Sequence, residues 1–300
     1  MRINLRGEEP ETGKARVKAE QGVIKFIRYF FPAVWPVLLY ISLNMGFILI
    51  GSMVFRPGVT REEFLHEKSS VCSIFTVFTT FFILRRYSRK KGSTFFEDAS
   101  LYRDDLSLVK GLMAVLFGAG TALFISALIS LLPSIGPVEG YEVQIGKLYR
   151  SWSILFGVAV NTFFTPLVEE VIFRGYMLNR LLPHWGEKWA LIAVSLVFGM
   201  MHGSAIWFLY SVVMAWILGK LAIREDNIFY SILLHLGFNL PGTVLWYMYA
   251  LLPGSEEVLR QDKLLITALG FTGAGAALFA YRVYELERTS GYISRLFNKT

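Results

Sequence analysis

Two adjacent glutamates and an arginine interrupt an apolar run at residues 166–176, Pro-Leu-Val-Glu-Glu-Val-Ile-Phe-Arg-Gly-Tyr. In a stretch that crosses a bilayer, each ionisable group costs at least ~2.5 kcal/mol, so it persists only where it pairs, faces water or does chemistry. Glu170 and Arg174 are four residues apart on one helical face and can neutralise each other. Glu169 is rotated about 100° from that pair and has no partner in its own helix. A carboxylate so placed suits proton transfer. The blander alternative is an ion-pair cluster that holds helices together. Two more polar pairs fall in apolar runs with the same spacing: Phe198 with His202 in Phe-Gly-Met-Met-His, and His235 with Asn239 in His-Leu-Gly-Phe-Asn. Taken singly, a membrane histidine or asparagine is as readily explained as a hydrogen-bonding partner between helices.

Together these groups suit a particular chemistry. No serine or cysteine sits in a nucleophile motif, and His-Glu-x-x-His is absent. A carboxylate beside an imidazole can instead polarise a water for attack on a carbonyl. A second imidazole and a carboxamide can donate hydrogen bonds to the resulting oxyanion, each worth ~3–4 kcal/mol when well placed in a dry site. Glu169, His202, His235 and Asn239 thus point to hydrolysis of a peptide bond within the membrane, with Glu170 and Arg174 as a supporting pair. A zinc ion held by His202, His235 and Glu169 is the competing arrangement, since two histidines and a glutamate form a catalytic zinc set.

Such groups need helices to carry them. Of the 300 residues, 54% are apolar, 15% aromatic and 18% charged, and the mean hydropathy is +0.48. Several runs reach the ~18–20 apolar residues that a crossing requires. The fold class expected is an all-α polytopic membrane protein of about eight transmembrane helices, with both termini cytoplasmic. The basic residues 1–28 read as a cytoplasmic tail with no cleavable signal. Spans are expected at about 30–55, 69–84 and 109–132, with polar loops at 56–68 and 133–150. After the second span come Arg85, Arg86, Arg89, Lys90 and Lys91. Segment 93–107 follows, and its Phe95, Phe96, Leu101 and Leu106 suit the membrane surface. A fourth span, about 158–182, carries the glutamates and stops before Pro183. Residues 189–222 would make about 51 Å of helix, too long for one crossing. His202-Gly203-Ser204 is the natural turn, which leaves two short spans. A seventh is expected at about 227–250. After a loop with Pro253 and Gly254, an eighth at about 263–283 carries Gly270, Gly273, Ala274, Gly275 and Ala277 for close helix contact.

With these boundaries Glu169, His202, Asn239 and His235 lie about 20, 20, 18 and 12 Å from the cytoplasmic edge, close to one layer. Charge supports the arrangement. Of the 30 Lys and Arg residues, 23 fall on the cytoplasmic side and seven on the other, as the positive-inside rule requires. The net charge of +7 is therefore assigned to loops at a lipid surface and not to nucleic acid. The single cysteine, Cys72, excludes an internal disulfide and reads as packing. Asn298-Lys299-Thr300 matches a glycosylation acceptor but is placed in the cytoplasm.

In order and on apolar helices, Glu-Glu-x-x-x-Arg at Glu169–Arg174, Phe-x-x-x-His at Phe198–His202 and His-x-x-x-Asn at His235–Asn239 resemble the three motifs of one family. This is the type II CAAX prenyl proteases and their bacterial relatives, the CPBP or Abi family, and the resemblance covers about 155–250. It implies a glutamate-dependent intramembrane endopeptidase without metal or other cofactor. In that scheme Glu169 and His202 activate water, and His235 and Asn239 form the oxyanion site. The partners implied are the bilayer and a membrane-associated peptide or protein, prenylated CAAX tails among them. The chain then divides into a tail at 1–28, N-terminal helices and surface segment at 29–150, a catalytic core at 151–250, and a last helix and tail at 251–300. Short loops suit a prokaryotic plasma membrane better than the ER. Two other readings compete: a non-catalytic immunity or scaffold protein of the same family, and a proton-coupled transporter. The transporter should have two related halves, which this sequence lacks.

Overall fold

The computed structural model describes residues 11–54, 69–102, 106–132, 159–251 and 262–290. The loops expected at 56–68 and 133–150, the Pro253-Gly254 turn and Asn298-Lys299-Thr300 lie outside the described residues. Among those described, every element is helical. Helix α1 is Glu11–Val54, α2 Ser69–Lys91, α3 Phe95–Asp98 and α4 Leu108–Ser130. A continuous rod follows, made of α5 (Ala159–Phe164), α6 (Thr165–Glu170) and α7 (Val171–Leu178), of which α5 and α7 are π-wound. The chain ends in α8 (Asn179–Met200), α9 (Ala205–Glu225), α10 (Phe229–Leu251) and α11 (Lys263–Ser290). Four stretches are long and apolar enough to cross a membrane: Phe26–Val54, Leu108–Ser130, Ala205–Glu225 and Lys263–Ser290. The protein is a helical membrane protein.

Two turns lie where glycine permits them. Gly186 has φ 72 and ψ 168, which breaks α8 after Pro183 and Trp185. Gly203 has φ 65 and closes the turn between α8 and α9, where the 34-residue apolar run was expected to fold back. A residue with a Cβ is strained at either position. Ser204 then caps α9, its hydroxyl accepting from the Trp207 N–H.

The first helix departs from expectation. It starts at Glu11, not near residue 30, and its 44 residues make about 66 Å of helix. That is twice the ~30 Å of a hydrocarbon core, so much of the expected tail is a helical extension of the span. Pro32 and Pro36 lie inside it. The surface segment departs too. Thr94 and Glu97 form a reciprocal capping box that starts α3, and the bonds from Thr94 hold the Glu97 carboxyl below the usual range. Phe96 is 59% exposed, as a surface residue should be. Phe95 and Leu101 instead turn inward against the main core.

That core is built around α7. All eight of its residues are buried, and Ile172, Phe173 and Met177 belong to one core cluster with Val37 of α1, Val77 and Leu84 of α2, and Leu191 and Val194 of α8. A π-wound helix buried on every side belongs at the centre of a bundle, not at its edge. On the far side α4 packs against α10 and α11 through small residues. A Cβ on Gly118 would lie 2.1 Å from the Leu234 carbonyl, one on Gly237 2.1 Å from Val115 O, and one on Gly120 2.5 Å from Gly273 O. Of the small residues expected to pack on the last helix, Gly270 and Gly273 do so, whereas Gly275 faces open space.

Candidate active site

The three motifs meet between α6–α7, α8 and α10. Glu169 and Glu170 close α6, Arg174 lies one turn on in α7, and His235 enters from α10 to sit against both acids. The Glu170–Arg174 pair that the spacing predicts is present: Arg174 Nη1 donates to Glu170 Oε1 at 2.8 Å, and both side chains are 0% exposed. Arg174 Nη2 donates to the Ala215 carbonyl of α9 at 3.0 Å, and the guanidinium lies 5.0 Å over the Phe198 ring. No sequence signal marked that carbonyl. A buried cation without it would keep donors unmatched, at roughly 1–3 kcal/mol each.

His235 joins the two carboxylates. Its Nδ1 is 2.8 Å from Glu170 Oε1 and its Nε2 is 3.8 Å from Glu169 Oε2. A carboxylate that already accepts from an arginine is an acceptor, so Nδ1 is the donor in the contact to Glu170. That leaves Nε2 as the ring atom able to exchange a proton with Glu169. Glu169 retains 14% side-chain exposure and Glu170 none, so of the two acids Glu169 is the one a substrate can reach. Tyr40 of α1, buried at 8% exposure, lies within electrostatic reach of Glu169. It belongs to no motif, and sequence reasoning missed it.

His202 follows α8, half-buried, with Nδ1 2.8 Å from the Phe198 carbonyl. A carbonyl can only accept, so Nδ1 carries the hydrogen and Nε2 of the neutral ring presents a lone pair. The motif Phe-x-x-x-His is thus a tautomer-setting unit as well as a shared face. The Phe198 ring stands beside both imidazoles, 4.8 Å from His202 and 5.9 Å from His235. The imidazole nearest Glu169 is that of His235, and no direct contact within 4.0 Å joins His202 to that carboxylate. Direct Glu169–His202 contact, the simplest form of the expected water-activating pair, is absent. A bridging group between them is required if the two act together.

Asn239 lies one turn beyond His235, and its Nδ2 donates to the Asn161 carbonyl of α5 at 3.0 Å. The cause is local. Pro166 has no N–H, so carbonyls in the turn before it lose an intrahelical donor. The Asn239 amide supplies one of the missing bonds, which uses one of its two hydrogens and leaves the other. Thr162 donates to the Thr243 hydroxyl at 3.0 Å and Thr243 donates to the Asn239 carbonyl, so α5 and α10 are held together at this level. Among the described residues no three His, Cys, Asp or Glu side chains gather in a way that could hold a metal ion.

Helices that bring together an acid pair, two tautomer-fixed imidazoles and a carboxamide give this helical membrane protein a polar site in its interior. Comparison adds a likeness: residues 151–241 match the model of the family of type II CAAX prenyl endopeptidases, Rce1-like. The matched stretch contains all three motifs. A comparison with curated proteins finds no match.

Proposed function

We propose that the protein is an intramembrane endopeptidase that hydrolyses a peptide bond of a membrane-associated substrate by glutamate-activated water. The observation that carries this reading is the His235 bridge, with Nδ1 on Glu170 and Nε2 turned to Glu169. A structural ion pair needs Glu170 and Arg174 alone. It gives no reason for a second, partly exposed acid held beside a histidine.

In this reading Glu169 takes a proton from water, and His202 Nε2 accepts the water's second hydrogen bond and orients it. The hydroxide adds to the scissile carbonyl. The remaining Asn239 N–H and His235 Nε2, when it carries a proton, face the oxyanion. The proton held on Glu169 passes to the leaving amine, and His235 can relay it. Glu170 fixes the ring of His235, and Arg174 holds the Glu170 carboxylate in place. These steps need only the chain's own residues and water.

The rest of the arrangement is proposed on the same footing. The helices make eight passes with both termini in the cytoplasm, residues 151–250 form the catalytic core, and 1–28 and 251–300 flank it. The substrates are membrane-bound proteins with prenylated CAAX-type tails among them, and a prokaryotic plasma membrane suits the short connections. The test is cleavage of a farnesylated CAAX peptide and a panel of membrane peptides by purified protein, with Glu169→Ala as control. Cleavage that persists in phenanthroline, with no stoichiometric zinc on elemental analysis, supports the water mechanism. One zinc per chain, lost in His202→Ala and His235→Ala, would make it a metalloprotease. No cleavage of any member would favour an immunity or scaffold role.

A further inference from the structure

A groove of about 780 Å³ runs between α1 and α8 on the face of α8 turned away from the acid cluster. Phe26 and Phe30 of α1 form one wall, and Trp189, Ala193, Leu196 and Met200 of α8 form the other. The lining residues of α8 recur every three or four positions, so they make one stripe. Trp189, Leu196 and Met200 are 61%, 44% and 65% exposed, which leaves the stripe without a protein partner among the described residues. From Trp189 to Met200 it runs about 16 Å, close to half of a ~30 Å hydrocarbon core. The groove is therefore long enough to take one leaflet's depth of acyl chain.

Its mouth is aromatic and cationic. Trp185 stacks on Phe26 and Phe30 at 5.2 and 5.9 Å, and His184 stacks on Tyr29 at 3.7 Å. Arg28 lies 5.8 Å over the Tyr29 ring and Lys188 5.8 Å over Trp189. Among the described residues neither cation is paired with a carboxylate. Tryptophans at the headgroup level, two uncompensated cations and an apolar channel one leaflet deep match one kind of occupant. We propose that this groove is a binding site for an anionic phospholipid, with the phosphate between Arg28 and Lys188 and an acyl chain along the α8 stripe. The site is separate from the acid cluster and does not depend on the protein being a protease. Occupancy would brace α1 against the helix that carries Phe198 and precedes His202.

The test is tryptophan quenching by brominated-chain lipids in nanodiscs, with Trp189→Phe defining the share of the signal that comes from the groove. Brominated phosphatidylglycerol should quench that share at lower mole fraction than brominated phosphatidylcholine. An interfacial cation contributes about five-fold to anionic-lipid binding, so Arg28→Ala combined with Lys188→Ala should lower the preference by roughly 25-fold. High salt should weaken it in the unaltered protein, and inorganic phosphate should not compete. Equal quenching by the two lipids overturns the proposal, as does a preference unchanged in the double variant. Displacement by free phosphate would reassign the site to a small anion. Efficient crosslinking of two chains through Met200→Cys in a Cys72→Ser background, with loss of the Trp189 quenching, would assign the groove to a second copy.

Discussion

His235 is the residue at which the two acids acquire different roles. Its Nδ1 contact with Glu170 at 2.8 Å sets that acid in the buried pair, and its Nε2 leaves Glu169 as the acid within reach of substrate. Glu169→Ala and His202→Ala should each lower turnover by ~10²–10⁴-fold, the usual worth of a general acid–base group. Expression and melting should be close to unchanged, since neither side chain closes a buried ion pair. Near-normal turnover of Glu169→Ala in a peptide-cleavage assay would remove its water-activating role. Glu170 should behave differently. Glu170→Gln leaves Arg174 uncompensated at 0% exposure, and breaking a buried pair costs ~3–5 kcal/mol. A double-mutant cycle with Arg174→Gln, read by melting temperature, should restore part of that loss. Strictly additive effects would mean that the two side chains do not act as a pair. The spacing of four made this pair legible in the sequence. The Ala215 carbonyl on Arg174 and the Asn161 carbonyl on Asn239 were not legible, because backbone acceptors on other helices carry no residue-type signal. Tyr40 was hidden because its helix holds no other polar group that points to a site.

At the scale of elements, helix positions follow from hydropathy and punctuation. The expected spans at 109–132 and 227–250 correspond to Leu108–Ser130 and Phe229–Leu251, and Gly203 marks the turn after α8. Winding does not follow from those signals: α5 and α7 are π-wound on either side of α6, and π segments often lie at functional sites. Nor did hydropathy reveal that α3 is fastened beneath α7. Asn179 Nδ2 donates to Ser100 Oγ at 2.7 Å, and Ile228 N–H donates to Ser100 O at 2.9 Å. Ser88 and Tyr176 share a hydrogen bond at 2.8 Å. Gly175 makes the close approach possible, because a Cβ there would lie 2.9 Å from both Ala99 Cα and Ala99 O. In an open helix Gly→Ala gains up to ~1 kcal/mol. Here the clash is with backbone and overpacking costs ~1–3 kcal/mol, so the sign reverses. Gly175→Ala should lower the melting temperature in detergent, whereas Gly275→Ala, with nothing within 4 Å, should hold or raise it. A Gly175→Ala protein as stable as the parent would show that α3 yields freely.

Across the whole molecule, the contacts between helix ends collect at one pole. Tyr29 of α1 meets His184, Lys91 of α2 pairs with Asp98, and Lys110 of α4 pairs with Glu225 of α9 at 2.6 Å. Lys220 of α9 pairs with Glu187, and Arg224 pairs with Glu285 of α11. These residues lie near the start of the Phe26–Val54 segment of α1 and of α4, the end of α2, α9 and α11, and the kink in α8. Among the described residues, the Phe26–Val54 segment and α4 thus start at this pole, and α2, α9 and α11 end there. In the proposed eight-pass arrangement this pole carries the larger share of lysine and arginine, which the positive-inside rule assigns to the cytoplasm. Site-directed labelling can test this, because the single cysteine, Cys72, is 4% exposed and Cys72→Ser gives a silent background. In that background Lys188→Cys and Arg288→Cys should resist a membrane-impermeant maleimide added to intact cells and react once the membrane is opened. Ser130→Cys and Lys263→Cys, at the opposite ends of α4 and α11, should react in intact cells. Labelling of Lys188→Cys and Lys263→Cys from the same side would break the eight-pass arrangement. Labelling of all four in the reverse sense would keep the bundle and turn its site toward the outside.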